Sequence, residues 1–319
     1  MNFLLVTIQL AFRVLRRNPL RAGLTMLGII IGVGAVVAMV SLGQGASASV
    51  QSQIASLGTN VLIVIPGATT VSGVRSGLGG VSTLTVEDAR EIERKVDGIS
   101  AVTYATRAVL QVVHEHQNWN TVVLGTTPAF PDIRDWPMAQ GSFFTQADED
   151  AGGKVAVIGK TAAENLFEPG EEIVGGQIRI KNVSLRIVGI LAAKGQTMQG
   201  QDQDDVVVIP FSTAERKVLG TQFLGTVGII LAATERRDQI PAVAQDIKQL
   251  LRARHRIPLA EEDDFTIRTM EDIARTLAVA SRTMMMMLMS IASISLMVGG
   301  IGIMNILLVS VTERTREIG

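Results

Sequence analysis

The 319-residue sequence contains no cysteine, which excludes a disulfide scaffold and a thiolate-ligated metal centre. It has no acidic residue before Glu87, and it has no charge of either sign over two long stretches, Ala22–Leu42 and Thr283–Thr312. Apolar residues are not scarce: they make up 47% of the chain and the mean hydropathy is positive, so a disordered tail is excluded too. The two charge-free stretches run 21 and 30 residues, past the roughly 18 at which an apolar run reads as a membrane span. A single soluble domain does not fit that pattern.

At a rise of about 1.5 Å per residue the first span is roughly 30 Å long, one hydrocarbon thickness, and the second reaches roughly 45 Å. The longer one must tilt or project beyond the bilayer. Arg13, Arg16, Arg17 and Arg21 precede the first span and Arg314 and Arg316 follow the second, which places both termini in the cytoplasm and residues 43–282 outside. The rival reading is a signal peptide cleaved at Ala46-Ser47-Ala48; its apolar core would be far longer than the 7–15 residues such peptides use. Ahead of the first span, Phe3, Leu4, Leu5, Ile8, Ala11, Phe12 and Leu15 recur at helical spacing, as in an interfacial helix on the inner leaflet. Asn18-Pro19 would end it.

Acidic residues outnumber basic ones in the outside segment, so nucleic acid is a poor partner by sign. Val61–Ile65 reads as a strand, and the Gly-, Ser- and Thr-rich stretch Ala68–Ser82 as a mobile loop. Thr85 with Asp88 forms a capping-box start, continued by a stripe of Val86, Ala89, Ile92 and Val96. Extended segments follow at Ala101–Val113 and Thr121–Leu124. A similar order returns late: a strand Val227–Leu231, a helix capped by Asp238 with Pro241 in its first turn and a stripe of Ile240, Val243, Ala244, Ile247, Leu250 and Leu251, then a strand Phe265–Arg268. Between these two αβ portions lie four strands, Val155–Ile158, Gln177–Ile180, Val183–Ile187 and Val206–Ile209. Lys181-Asn182 changes the parity of the alternation, the mark of a two-residue hairpin.

Catalytic and metal-binding patterns are mostly missing from the sequence. Gly159-Lys160-Thr161 resembles the end of a phosphate loop, but Lys154 occupies the position that needs glycine; a strand followed by a helix start explains it. His114 and His116 could share a strand face, yet no third ligand is evident, and surface residues on an edge strand is the better reading. Glu261, Glu262, Asp263 and Asp264 lack the spacing of a calcium loop and read as a solvated turn. Arg252, Arg254 and Arg256 close the preceding helix, where they complement its dipole or meet a partner. There is no Ser/His/Asp arrangement, so no catalytic set, no metal site and no cofactor site is expected. The spans say more. Gly28 and Gly32 form one small-xxx-small pair, Gly34 and Ala38 another; Ser295, Gly299, Gly300 and Gly302 crowd the second span; and Asn305 can bond across helices. Met284–Met287 and Met289 open the second span as flexible packing residues.

Three blocks carry a resemblance: Arg16-Arg17-Asn18-Pro19-Leu20-Arg21 through Leu24–Gly32 to Ser41-Leu42-Gly43; Val298-Gly299-Gly300-Ile301-Gly302-Ile303-Met304-Asn305-Ile306; and Val309–Gly319. With Val155–Phe167 and Gln177–Gly195, they make the chain resemble the MacB/FtsX-type permease family, the membrane subunits of one class of ABC transporters. The resemblance implies an α+β membrane protein in which two transmembrane helices flank a large extracytoplasmic domain, with a porter-like αβ portion and an inserted β-rich lobe. On this sequence that places an interfacial helix at 1–19, the first span at 20–43, the MacB-like core at 44–282, the second span at 283–311 and the start of a coupling segment at 312–319. Within the core, the αβ portion covers about 58–129 and 214–272 and the β-rich insert about 130–213. The resemblance further implies contact of Glu313, Arg314, Arg316 and Glu317 with a separate or fused ATPase, which alone would bind ATP. It implies pairing as a permease homodimer or with a paralogue, surrounding membrane lipid, and export through a periplasmic membrane-fusion adaptor and an outer-membrane channel. Family members continue into a third and fourth span, so this chain is expected to be a truncated copy or an incomplete gene. Other classes share parts of the layout: a two-span transmembrane sensor or mechanical signalling subunit with an extracytoplasmic domain, and an anchored extracytoplasmic enzyme, which would need a catalytic set.

Overall fold

The computed structural model describes residues 19, 23, 26, 27, 30–34, 36–41, 43–45, 60–67, 69–71, 74–76, 83–197, 200–220, 224–258 and 260–318. Two compact units emerge, one of Met1–Val50 with Arg275–Gly319, helical where it is described, and a mixed α/β one of Gln51–Ala274.

The α/β unit opens with β1 (Val61–Pro66), then β2 (Thr69–Val71) and β3 (Val74–Ser76), which pair with each other in antiparallel fashion. The stretch expected to be only a mobile loop therefore carries a small hairpin. Helix α2 (Val86–Lys95) starts on the capping box foreseen, with the Thr85 hydroxyl accepting from the Asp88 N–H and the Asp88 carboxylate accepting from the Thr85 N–H. Ahead of it in the chain, the helical unit holds α1 (Ile30–Gly45). After α2 come β4 (Ile99–His114) and β5 (Gln117–Thr126), then the short α3 (Phe130–Ile133), β6 (Met138–Gly141), α4 (Gln146–Ala151), β7 (Val155–Ile158) and α5 (Lys160–Leu166). β8 (Gln177–Ile180), β9 (Val183–Leu191), β10 (Val206–Pro210), β11 (Ile229–Thr234), α6 (Ile240–Arg254), β12 (Phe265–Thr269) and α7 (Met270–Ile318) complete the order.

The late helix is not capped by Asp238. Asp238 binds Arg236 in a preceding 3-10 turn, and Gln239 occupies the cap. Pro241 does lie in the first turn, where its missing N–H costs nothing.

One sheet runs β12-β1-β11-β4-β5-β10-β7-β9-β6. β4 is long enough to serve two structures. Its first part, up to Ala105, pairs with β11, while Val112 and Val113 pair with β8. Because β8 also pairs with β9, the strands β4-β5-β10-β7-β9-β8 close a ring. Its inside is filled by Val112, Val123, Ile158, Ile178, Leu185, Ile187 and Ile209, together with Ala162, Ala163 and Leu166 of α5. Alternation at period two makes this possible: in β8 Ile178 and Ile180 point in, while Gln177 and Arg179 point out.

A second core joins the two αβ portions. Leu62, Val64, Leu84, Ile92, Ile230, Val243, Ile247 and Leu251 pack together, so α2 and α6 cover the same face of β1, β11 and β12. On other strand faces Phe130, Ile133, Trp136, Phe144, Val206 and Val208 form a third cluster. Gly159 caps α5, and a Cβ there would meet the Asp204 carbonyl oxygen at 2.3 Å. Close backbone approach, not phosphate, explains that glycine.

Candidate functional site

Among the described residues, three polar nodes and one apolar helix pair bear most directly on function. The first node begins at Asp88. Besides capping α2, its buried carboxylate accepts from the Arg254 Nε at 2.7 Å and from the His255 Nε2 at 3.2 Å, while the His255 Nδ1 donates to Asp264 at 2.8 Å. Three segments are thereby tied: the start of α2, the end of α6 and the residue before β12. Burial pushes the Asp88 carboxyl up, but the His255, Arg254 and Thr85 hydrogen bonds overcome this and hold it far below the ordinary carboxylate range. His255 responds in the opposite sense: its bond to Asp88, against burial and with help from Asp264, raises it to about 8.

The four acids expected in a solvated turn are thus not all solvated. Asp264 holds His255, and Asp263 holds Arg252 and Lys248. Of the basic helix end, Arg252 and Arg254 have found partners 6 to 166 positions away in sequence. The charges were visible in the sequence, their pairing was not.

The second node corrects the histidine reading. β4 ends at His114, and Glu115 takes a left-handed turn conformation (φ 47°), so His116 falls in the turn and the two rings share no strand face. His114 is buried. It stacks on Phe167, donates from Nδ1 to the Gln177 carbonyl at 2.7 Å and from Nε2 to Glu171 at 2.8 Å. Burial lowers its pKa, but the Gln177 and Glu171 bonds prevail and the net shift is upward. Among the described residues no group of three or more His, Asp or Glu side chains is placed to hold a metal.

The third node surrounds Asp204, which is buried. Its carboxylate accepts from the N–H groups of Lys194 at 2.8 Å and Gly195 at 2.9 Å. Asp202 binds the Thr161 hydroxyl, so the threonine of the Gly-Lys-Thr run has a loop to hold.

In the helical unit, a Cβ on Gly32 would lie 3.5 Å from Leu296, and one on Gly43 would lie 2.8 Å from the Met285 sulfur. The pairing 32 with 296 and 43 with 285 makes α1 and α7 antiparallel neighbours. Met39 and Ala292 are buried between them, and a recess of about 250 Å³ lies beside the contact, lined by Gly32, Val36, Met289 and Ser293 among others. Of the other small residues singled out, Gly299 is buried and Gly302 half-buried, whereas Gly300 and Gly34 are exposed with open space around them. Gly28 and the side chain of Asn305 lie outside the described residues. So do the side chains of Glu313, Arg314, Arg316 and Glu317, although the backbone there continues α7 to Ile318. Met284, Met286, Met287 and Met289 are exposed, and Met285 lies against Gly43 of α1.

The helix α7 has 49 residues, and its segment Glu271–Gly302 is long and apolar enough to cross a membrane; α1 as described is shorter than that. No loop separates β12 from α7. Thr269, the last residue of β12, accepts from the Asp272 N–H at 3.0 Å, and the Asp272 carboxylate accepts from the Thr269 N–H at 3.1 Å.

The family model for the MacB-like periplasmic core domain matches residues 22–250. The macrolide export ATP-binding/permease protein MacB of Rhodospirillum rubrum is 42% identical over 313 residues, covering 98% of this chain and 46% of that protein. Its namesake from Syntrophobacter fumaroxidans is 38% identical, covering 98% and 51%. The chain therefore spans about half the length of the curated relatives it matches. Among solved structures, the periplasmic region of MacB from Actinobacillus actinomycetemcomitans superposes with a TM-score of 0.58 at 20% identity, covering 70% of this chain and 95% of that one. The extracellular domain of the transporter YknZ from Gram-positive bacteria gives 0.53 at 17%, covering 66% and 100%. These two likenesses concern the fold. With the family model matching most of the sequence and relatives near 40% identity along nearly all of it, the chain belongs to the MacB-like periplasmic core domain family.

Proposed function

We propose that this chain is a permease portion of a MacB-type ABC transporter, which couples ATP hydrolysis on a cytoplasmic partner to movement of an extracytoplasmic domain and so drives export. The observation that supports the reading best is the joint at Thr269: β12, hydrogen-bonded to β1 in the sheet, passes without a loop into a helix of 49 residues. At about 1.5 Å per residue such a helix is roughly 74 Å long, more than twice the hydrocarbon thickness. A rod of that length can carry a displacement from one end to the other, because kinking it sharply would disrupt its hydrogen-bond ladder.

In this reading α1 and α7 are spans in an inner membrane and both termini are cytoplasmic. Residues 312–319 begin the segment that touches the ATPase, with Glu313, Arg314, Arg316 and Glu317 as the contact. ATP binds to the partner alone. A second permease, identical or paralogous, completes the membrane part, and an adaptor and an outer-membrane channel carry cargo onward. The relatives are named for macrolide export, and a macrolide-like cargo is the reading they favour.

The test is charge reversal at the far end of the rod. Arg314→Glu with Arg316→Glu, in the chain reconstituted with its ATPase in liposomes, should leave basal hydrolysis in place and abolish its stimulation by the permease. Unchanged stimulation would sink the coupling role.

A further inference from the structure

We propose that Glu168–Val174 is a strap at one end of the closed ring of strands, where β4 finishes and β8 begins, and that a doubly protonated His114 is the clasp that holds it. The strap joins α5 to β8. Phe167 anchors it on one side, buried in the ring core and donating from its N–H to the Ala163 carbonyl at 3.0 Å. On the other side Gly175 donates to the Ile187 carbonyl at 2.8 Å, and Gly176 accepts from the Ile187 N–H at 2.9 Å. Between these anchors the chain turns on Glu168-Pro169-Gly170-Glu171, with Gly170 at φ 94° in the third position, as a type II turn needs. Glu171 closes the turn on itself: its N–H donates to the Glu168 carbonyl at 3.1 Å, and its Oε2 accepts from the Glu168 N–H at 3.0 Å. The turn is thus a self-contained unit, and Glu168–Glu172 are exposed.

Among the described residues, a single hydrogen bond joins the strap between its anchors to a distant part of the chain. The Glu171 Oε1 accepts from the His114 Nε2, 57 positions away, at 2.8 Å. The imidazole is itself fixed: it is buried, its centroid lies 3.9 Å from that of Phe167, and its Nδ1 donates to the Gln177 carbonyl at 2.7 Å. Both ring nitrogens therefore face oxygens that have no hydrogen to give. A neutral imidazole carries one N–H and serves only one of them, leaving the other nitrogen with a lone pair turned toward oxygen; the imidazolium alone satisfies both. When the proton leaves, the carbonyl bond is the one kept. Gln177 is locked in β8 by its pairing with β9, whereas Glu171 sits on an exposed turn where water can solvate its carboxylate.

The charged groups that act on His114 are Glu171 from the strap and Glu115 from the turn after β4; Phe167 and Gln177, packed on its other sides, carry no charge. Burial works against the charged ring, but the Gln177 and Glu171 hydrogen bonds and the two carboxylates raise it above its ordinary 6.5. Glu171 is lowered from 4.5, chiefly by the same His114 bond. The clasp is therefore complete from pH 4.5 to 6.5 and is lost as pH rises through the raised histidine value. What then keeps the strap in place is the apolar contact of Ile173 and Val174 with the ring core, and swinging the strap out uncovers that contact.

The chain has no cysteine, so Glu172→Cys accepts one nitroxide spin label on the exposed strap. In the detergent-solubilised full chain, the ratio of mobile to immobile signal is followed as pH is raised from the acid side of the histidine range to the alkaline side. It should rise roughly fivefold, the effect of losing one hydrogen bond of ordinary net strength, with its midpoint above 6.5. Glu171→Gln in the labelled chain should abolish the rise, because a carboxamide donates to the neutral ring that a carboxylate repels. His114→Gln, which has no proton to lose, should be flat in pH as well. A label at Arg179→Cys, on the outer face of β8, should show no such rise, which separates release of the strap from loosening of the whole ring. A ratio at Glu172→Cys that does not change with pH overturns the inference, as does a rise that survives in Glu171→Gln or is matched at Arg179→Cys. Glu171 lies on the exposed turn, so its variant decides the matter even where His114→Gln fails to fold.

Discussion

Ile158, Ile187 and Ile209 of the α/β unit are fully buried, whereas Ile291, Ile294 and Ile301 of the helical unit keep 58%, 64% and 51% of their surface exposed. The same side chain is treated in opposite ways within one chain. In water the second arrangement would be heavily penalised, since each isoleucine left outside forgoes about 1.5–3 kcal/mol of burial. A contiguous surface of that kind marks contact with lipid or with other apolar helices. The difference extends to the polar groups. In the α/β unit the buried Asp88 is paired with Arg254, and the helical unit presents apolar faces that need no such pairing. Fold stability in the first unit is therefore local and testable by deletion, while placement of the second depends on what surrounds it.

The largest effect is expected where the α/β unit depends most on pairing. Asp88→Leu removes the cap of α2 and leaves Arg254 and His255 without their shared acceptor. Breaking a buried ion pair from one side costs about 3–5 kcal/mol. The unfolding transition of the α/β unit, followed by circular dichroism against urea, should move to markedly lower denaturant; a shift near zero would mean that the pairing contributes nothing net.

The helical unit answers to a different substitution. Ile294→Lys changes a residue that is already exposed, so in an aqueous protein it would be nearly neutral. In a membrane span it should cost about 2.5–3.5 kcal/mol of insertion free energy. A glycosylation-reporter insertion assay reads this directly. Insertion as efficient as the parent's would break the contrast between the two units.

Between those extremes lies a pH effect confined to the α/β unit. His255 is raised to about 8 by Asp88, with Asp264 as second partner and the Arg254 guanidinium beside them. A histidine raised in the folded state contributes stability that is fully present below its unfolded pKa near 6.5 and is lost as pH rises through about 8. The shift is about 1.5 pH units, or about 2 kcal/mol. Asp88, lowered by the same contact, contributes above the ordinary carboxylate pKa of 3.8 and loses its share as pH falls; the contact is counted once. Urea midpoints measured from pH 6 to 9 should decline across that range, and His255→Gln should flatten the decline. A parent curve flat in pH would remove His255 from the stabilising contacts.

Local order was largely readable from residue spacing. The Thr85–Asp88 box, the β8–β9 hairpin at Lys181-Asn182, the stripe of α6 and the strand before Gly159 are each fixed by neighbours within a few positions, and each stands where it was expected. What spacing cannot carry is distance along the chain. Asp88 looks like a cap and nothing more until Arg254, 166 positions later, reaches it. The ring closes only because Val112 of β4 meets Ile180 of β8, a pairing that no local pattern encodes. His114 and His116 misled for a subtler reason: period two holds only within a strand, and the strand ended at the first of them. For the candidate site the position is more uneven. Gly32 was visible as a small residue and does face Leu296, while the stacking of His114 on Phe167 gave no local signal, because it joins positions far apart in the chain.

The smallest predicted effect completes the comparison. Val109, on β4, is 69% exposed, slightly more than Ile294. Its cross-strand neighbour Val122 belongs to the sheet, and β4 alternates there between half-buried and open positions. If exposure in the α/β unit means contact with water, Val109→Lys should change stability by no more than about 0.5 kcal/mol, as surface substitutions do. Equal exposure, equal chemistry of substitution and a several-fold difference in cost would then isolate the solvent as the cause. A large loss at Val109, measured by the same urea titration, would instead show that this strand face is covered in the assembled protein.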